Sequence, residues 1–268
     1  MEQDNKPTNK SLSTVNSQLS IEKEVVIKTD KLTKRFGDFI ATNEVTFEVY
    51  AGEIFGFLGA SGAGKTTAMK MLCGLSKPSS GNATIAGFDI YKQTEEIKKN
   101  IGYMSQKFSL YEDLTVIENI HFFGGIYGLS DKQLKAKSDE LIEKLGLQSE
   151  AKKLVASLPL GWKQKLAFSV AVIHEPKIVF LDEPTGGVDP VTRRQFWDLI
   201  YSAADRGITI FVTTHYMDEA EYCNRVSIMV DGVIEALDTP DNLKKQFSAS
   251  SMDEVFYELA REAKRKSD

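Results

Sequence analysis

The chain has 268 residues, 42% of them hydrophobic, enough to build a sizeable core in one large domain or two modest ones. Its net charge of −5 gives no bulk attraction to nucleic acid or to an anionic membrane surface, so no nucleic-acid partner is expected. Cys73 and Cys223 lie far apart with no C-x-x-C pairing, which indicates neither a disulfide framework nor a zinc site and fits a reducing cytosol. No run reaches the roughly 18 apolar residues of a membrane span, and residues 1–24 lack the apolar block of a signal peptide. Any membrane work would fall to another chain.

In chain order, residues 1–24 are polar and poor in aromatics and read as a disordered tail. From Val25 the pattern changes, and Val45, Phe47 and Val49 alternate with polar neighbours as in a half-buried strand. IFGFL then reads as a buried strand that ends in a glycine-rich turn and opens into the helix KTTAMKMLCGL. Further strands are expected at 83–86, 101–104, 178–181, 208–213 and 226–230, with helical patterns between several of them, which makes the chain α/β. The stretch 108–157 has helical periodicity and no strand of useful length. Thr115 and Glu118 have capping-box spacing, and Leu134, Leu141, Ile142 and Leu145 share the next helical face. The division expected is a main domain over 25–248, with a helical insertion at about 108–165, then an amphipathic helix over 249–268. Ser251 and Glu254 would cap that helix, and Met252, Val255, Phe256 and Leu259 would dock it.

The chemistry starts with GASGAGKT, which fits G-x-x-x-x-G-K-[ST] between a strand and a helix. The backbone N–H groups of Gly59, Ala60, Ser61, Gly62, Ala63 and Gly64, with those of the helix start at Lys65, Thr66 and Thr67, can cradle phosphate oxygens. Lys65 can reach the terminal phosphates, and Thr66 can ligate Mg²⁺. KIVFLDEP places Asp182 and Glu183 at the mouth of a buried strand, where parallel sheets bind ligands: Asp182 for the Mg²⁺ shell, Glu183 as the base for an attacking water. Acids after a strand are often helix caps, and the phosphate loop tips the balance towards chemistry. His215 ends another buried strand, ITIFVTT, on the same rim, whereas His121 and His174 lie inside helical patterns and read as structural. Gln106 follows the strand IGYM and, taken alone, is equally a plain loop residue or a contact to metal or water.

Together, in this order, these motifs resemble the ATP-binding subunit of an ABC transporter from about residue 32 to residue 247. The resemblance implies a P-loop NTPase (RecA-like) core with an antiparallel β subdomain and an inserted helical subdomain, and ATP with Mg²⁺ as cofactors. It implies that Phe36, 23 residues before Gly59, stacks on adenine. It also implies that Gln106 is the Q-loop residue near metal and water, that 186–189 with Asp189 is the D-loop, and that His215 is the switch histidine. Asp189 before Pro190 is also a good N-cap.

The family's Leu-Ser-Gly-Gly-Gln signature, which completes the ATP site of the opposite subunit in a head-to-tail dimer, is replaced here by Leu158, Pro159, Leu160, Gly161 and Trp162. Pro159 has neither hydroxyl nor N–H, yet proline suits a first helical turn, and the N–H groups of Leu160 and Gly161 could still face an anion. The glycine is expected to permit close approach to phosphate. A similar Pro-Leu-Gly-Trp, and the segment THYMDEAEYCNRVSIMVDG, resemble the ATPases of ABC-2-type exporters. The implied function is an ATP-hydrolysing motor that pairs with a second ATPase subunit and drives an ABC-2-type permease from the cytoplasmic face of the membrane. The alternative is an ABC-type ATPase acting on ribosomes or nucleic acid. The apolar residues Phe108, Leu110 and Tyr111 either meet the membrane partner or pack on the helical insertion.

Overall fold

In a computed structural model, which describes residues 23–106 and 110–267, two sheets share a core with a layer of helices. Phe108 lies outside the described residues. The first sheet is antiparallel, in the order β2 (Phe39–Tyr50), β1 (Val25–Phe36), β4 (Ser80–Ile85), β5 (Phe88–Asp89). The second has the order β10 (Val233–Asp238), β9 (Arg225–Val230), β3 (Ile54–Gly59), β8 (Thr209–Thr214), β7 (Ile178–Asp182), β6 (Ile101–Met104). It is parallel from β9 to β6, and only β10 runs antiparallel. The chain is thus α/β with a P-loop NTPase-like parallel sheet and a separate antiparallel sheet.

Strand periodicity explains why β3 is apolar throughout. Phe55 and Phe57 face the first sheet, where they pack with Phe47 and Phe211 at ring-centroid distances of 5.3–6.0 Å. Ile54 and Leu58, on the opposite face, join the core under the helices. Burial on both faces is the condition under which a strand loses its alternating pattern.

Helix α1 (Lys65–Leu72) follows β3, and α2 (Thr94–Asn100) leads into β6. Between β6 and β7 run α3 (Val116–Ile126), α4 (Asp131–Leu145) and α5 (Leu160–Ala171). The capping box is formed in both directions: Glu118 N–H donates to Thr115 Oγ1, and Thr115 N–H to Glu118 Oε2. Leu134, Leu141, Ile142 and Leu145 form the buried face of α4. A boundary near residue 165 would fall inside α5, which continues to Ala171 and packs on β6. After β7 come α6 (Pro190–Ala204), a 3₁₀ segment Met217–Tyr222 beyond β8, and then α7 (Pro240–Gln246) and α8 (Met252–Ser267). Helix α8 buries Met252, Val255 and Leu259 and packs against the 3₁₀ segment.

Each expected strand falls on an observed one, but β10 was not anticipated: VIEALD is half-buried at every position and shows no alternation. Tyr111 is exposed and sits in an aromatic cluster with Phe122 and Phe123, whereas Leu110 is buried. His121 is exposed on α3. His174 is half-buried, stacked on Tyr127 with ring centroids 3.8 Å apart, and its Nε2 meets the Ile101 carbonyl at 3.1 Å.

Candidate functional site

The parallel strands β3, β7 and β8 end on one rim, and the loop after β3 is fixed by what surrounds it. A Cβ on Gly59 would lie 2.4 Å from the Met229 carbonyl oxygen, and one on Gly64 would lie 2.2 Å from that of Ala41. Gly64 also holds a φ of +104° at the N-cap of α1. Both positions therefore require glycine, because the loop backbone is wedged between β2 and β9. Lys65 is buried, and its Nζ donates to the carbonyls of Gly59 at 2.8 Å and Ala60 at 3.0 Å. The same ammonium lies 3.4 Å from Glu183 Oε1. Burial lowers the Lys65 pKa from its ordinary value, against the opposing pull of Glu183 and Asp182.

Glu183 is where the rim converges. Its Oε2 accepts from Gln106 Nε2 at 2.8 Å and meets His215 Nδ1 at 3.1 Å. Its own backbone has a φ of +47°, a left-handed value that costs a non-glycine residue about 1 kcal/mol or more. The Glu183 N–H offsets part of that cost by donating to the carbonyl and hydroxyl oxygens of Thr213, both at 3.1 Å. Asp182, 1% exposed, accepts from Thr66 Oγ1 at 3.0 Å and from Thr213 Oγ1 at 2.7 Å. Gln106, Lys65, Thr66, Thr67 and Glu183 border a hollow of about 170 Å³ with Ser61, Gly62, Gly64 and Phe39.

The chemistry of this donor set fits a nucleotide triphosphate with Mg²⁺. Thr66 and Asp182 offer paired hard oxygens, and no group of three His, Cys, Asp or Glu side chains that could cage a metal occurs among the described residues. Few protein ligands beside a phosphate is the pattern that suits Mg²⁺. Phe36 ends β1, is 56% exposed and carries the Lys34 ammonium 5.1 Å from its ring centroid. It is not part of the hollow, whereas its cross-strand neighbour Phe39 is.

Leu158, Pro159, Leu160 and Gly161 lie elsewhere. Leu158 is buried, and the other three line a second hollow of about 360 Å³ with Asp189, Gly187 and Thr192, which shares no residue with the first. Pro159 is the N-cap of α5 and not its first helical residue. Its carbonyl accepts from the N–H groups of Trp162 and Lys163, so the N–H groups of Leu160 and Gly161 have no intrahelical acceptor. Gly161 has a reason to be glycine inside its own chain: a Cβ there would lie 2.5 Å from Thr192 Cγ2. Asp189 caps α6 as anticipated, accepting from Val191 N–H and Thr192 N–H at 3.0 Å each.

A family profile described as ABC transporter matches residues 42–186, more than half of the chain. The chain belongs to the ABC transporter family. Over 241 residues it is 48% identical to the probable multidrug ABC transporter ATP-binding protein YbhF of Escherichia coli K12, an alignment covering 88% of this chain and 42% of that one. The chain thus spans less than half the length of that relative. It is 40% identical over 223 residues to the bacitracin transport ATP-binding protein BcrA of Bacillus licheniformis, covering 82% of this chain and 72% of that one. Among solved structures, a dimeric ATP-binding cassette in a post-hydrolysis state bound to ADP and Pi superposes with a TM-score of 0.72 at 26% identity, covering 80% of this chain and 98% of that one.

Several residues of this ABC chain that shape the site carry no sequence signal of their own. Thr213 supports both acids from the neighbouring strand β8. Gln164, buried on α5, donates through Nε2 to the Gly186 carbonyl at 3.1 Å, tying the helix start to the loop before α6. Only the register between elements reveals such partners.

Proposed function

We propose that this ABC chain is an ATP-hydrolysing motor of an exporter, with two ATPase subunits closing head to tail and driving a separate ABC-2-type permease from the cytoplasmic face of the membrane. The observation that carries this reading is the convergence of Lys65, Gln106 and His215 on the Glu183 carboxylate at the strand ends. The names of the exporter-related relatives support the transport role, and the dimeric cassette supports the pairing. No helix among the described residues is long and apolar enough to cross a membrane. The exposed Tyr111, Phe122 and Ile126 offer an apolar face for the permease.

In this reading the loop N–H groups and Lys65 hold the β- and γ-phosphates, and Phe36 or Phe39 stacks on the base. Thr66 and Asp182, with Gln106, would hold Mg²⁺, which would supply charge neutralisation when bound. Phosphate oxygens compete with Glu183 for the Lys65 ammonium, and once they win, Glu183 is free to take a proton from the attacking water. His215 and Gln106 orient that carboxylate and the water. The start of α5, with Leu160 and Gly161, closes on the phosphates of the opposite subunit, and Asp189 borders that contact.

Lys65→Ala and Glu183→Gln separate these roles. Lys65→Ala is expected to lose both nucleotide binding and turnover. Glu183→Gln should bind ATP, elute as a dimer with ATP and lose at least about a hundredfold in turnover, the scale of a general base. A Glu183→Gln protein with normal ATPase activity would remove the glutamate from the mechanism. Isolation of the chain from detergent-solubilised membranes, with identification of what accompanies it, tests the permease.

A further inference from the structure

Glu219 lies within the segment 214–232 but has been given no role so far, and it stands beyond the segment matched by the family profile. Its side chain is fully buried, at 0% exposure. One carboxylate oxygen, Oε1, accepts from Thr185 Oγ1 at 2.5 Å and from Trp197 Nε1 at 3.4 Å, and lies 3.7 Å from Arg193 Nε. The other, Oε2, has no hydrogen-bond partner among the described residues. A buried, partly paired carboxylate costs several kcal/mol of desolvation, and an apolar residue of the same volume is commonly neutral or stabilising in its place. Stability alone therefore does not account for the acid.

Its contacts form a closed circuit with the rim. Thr185 stands two residues beyond Glu183, and Glu219 four residues beyond His215. The Arg193 guanidinium, from α6, lies 4.2 Å over the ring of Tyr216 and 3.6 Å from Asp218. The Tyr216 ring lies 4.2 Å from that of His215, and His215 returns to Glu183 at 3.1 Å. The chain leaving the base and the chain carrying the histidine are thus joined a second time, behind the reacting face.

We infer that Glu219 is a positioning residue, which keeps Glu183 and His215 in register by holding Thr185 on one side and Arg193, stacked on Tyr216, on the other. The role rests on the assignment of Glu183 as base and His215 as its partner. Lys65 and the phosphate loop follow β3 and open α1, and Lys65 meets this circuit at Glu183 itself and not at Glu219, Thr185 or Arg193. Loosening it should slow turnover without weakening nucleotide binding.

The test uses Thr185→Val, Thr185→Ser, Glu219→Gln and the double variant Thr185→Val with Glu219→Gln, each measured for kcat, equilibrium nucleotide binding and Tm. Thr185→Val and Glu219→Gln are each expected to lower kcat about tenfold and to leave nucleotide Kd within about twofold, and the double variant to be no slower than either, since both cut one circuit. Thr185→Ser, which keeps the hydroxyl, should stay within about twofold of the parent. A loss of less than about threefold in Thr185→Val, an equal loss in Thr185→Ser, losses that multiply in the double variant or a parallel loss of nucleotide affinity each overturn the role. If Glu219→Gln fails to fold, the Thr185 pair decides alone. Glu183→Gln measured beside them separates the two levels. Normal turnover there refutes the base assignment, whereas an inert Glu183→Gln with an unaffected Thr185→Val refutes the positioning role only.

Discussion

The rim around Glu183 and the start of α5 are both proposed to meet phosphate, yet they are finished to different degrees. At the rim each key side chain has found a partner within the chain: Lys65 in two carbonyls and a carboxylate, Asp182 through Oδ1 in two hydroxyls, Glu183 in Gln106 and His215. At the start of α5 two N–H groups have no intrahelical acceptor, the N-cap makes no side-chain bond, and Leu160 is exposed over an open hollow. A saturated site has to exchange internal bonds for ligand bonds, so it responds to substrate. An unsaturated one gains bonds only from outside, which suits a surface completed by a second subunit.

Leu160→Glu should break this comparison most sharply, because its effects within and between chains have opposite signs. An acid in the first turn favours the helix dipole of its own α5, by about 0.3–1 kcal/mol. Facing the phosphates of an opposing subunit, the same charge opposes closure. Turnover is expected to fall tenfold or more, a scale set by like-charge juxtaposition costing several kcal/mol, with monomer nucleotide binding and Tm little changed. Steady-state ATPase, equilibrium binding and melting measure all three, and unchanged turnover would mean that α5 does not face phosphate.

Gly161 tests the same surface from behind. Its missing Cβ points at Thr192 Cγ2, so Gly161→Ala should lose about 1–3 kcal/mol of stability through overpacking. Thr192→Ser removes the colliding methyl and keeps the hydroxyl that donates to Asp189 Oδ2. Gly161→Ala combined with Thr192→Ser should therefore recover Tm and ATPase together. Recovery of Tm with ATPase still lost would show instead that the glycine serves the approach of phosphate.

How much of this was legible in the sequence follows from distance along the chain. GASGAGKT and KIVFLDEP are contiguous, and their functional geometry is made by local backbone, so residue types and flanking strands locate them. Thr213 beneath Asp182, Thr192 behind Gly161 and Glu219 beneath Thr185 depend on how β7 pairs with β8, how α6 packs on α5 and where the 3₁₀ segment after β8 lies. Periodicity reports which face is apolar but not which residue of a neighbouring element stands opposite. The aromatic near the loop shows the same limit. The family resemblance points to Phe36, while the Phe36–Phe39 hairpin pairing puts Phe39 on the hollow.

The far end of α5 contrasts with its start, because there His174 is locked between Tyr127 and the Ile101 carbonyl. Burial lowers the His174 pKa to about 4, from an ordinary 6.5. Between those values the unfolded chain binds a proton that the folded chain refuses, so stability is full above about pH 6.5 and falls as pH drops towards 4. After discounting for its partial exposure, moving from pH 7 to pH 5 should cost on the order of 1 kcal/mol through this group. Melting curves of the parent and His174→Gln across that range isolate the contribution. A parent whose pH dependence matches the variant's would show that His174 is not held neutral.

Pro159→Ser carries the smallest expected effect and bears most directly on the open surface. As N-cap, with φ −57° and ψ 151°, Pro159 offers its carbonyl to the helix but no side-chain acceptor. Serine would add a cap worth about 0.5–2 kcal/mol, while the loss of proline's restriction on the unfolded chain costs about 0.4–1 kcal/mol. The two nearly cancel, and Tm should move by no more than a few degrees. For turnover, a hydroxyl reaching the opposite subunit's phosphate could add a charge-assisted bond of about 1.5–3 kcal/mol, but a hydroxyl already accepting from its own helix keeps only its proton to offer. ATPase is therefore expected to be equal to the parent's or a few-fold higher, measured at saturating and at limiting ATP. A clear fall in ATPase with Tm unchanged would show that proline itself, by fixing the entry of the chain into α5, is what aims the unpaired N–H groups.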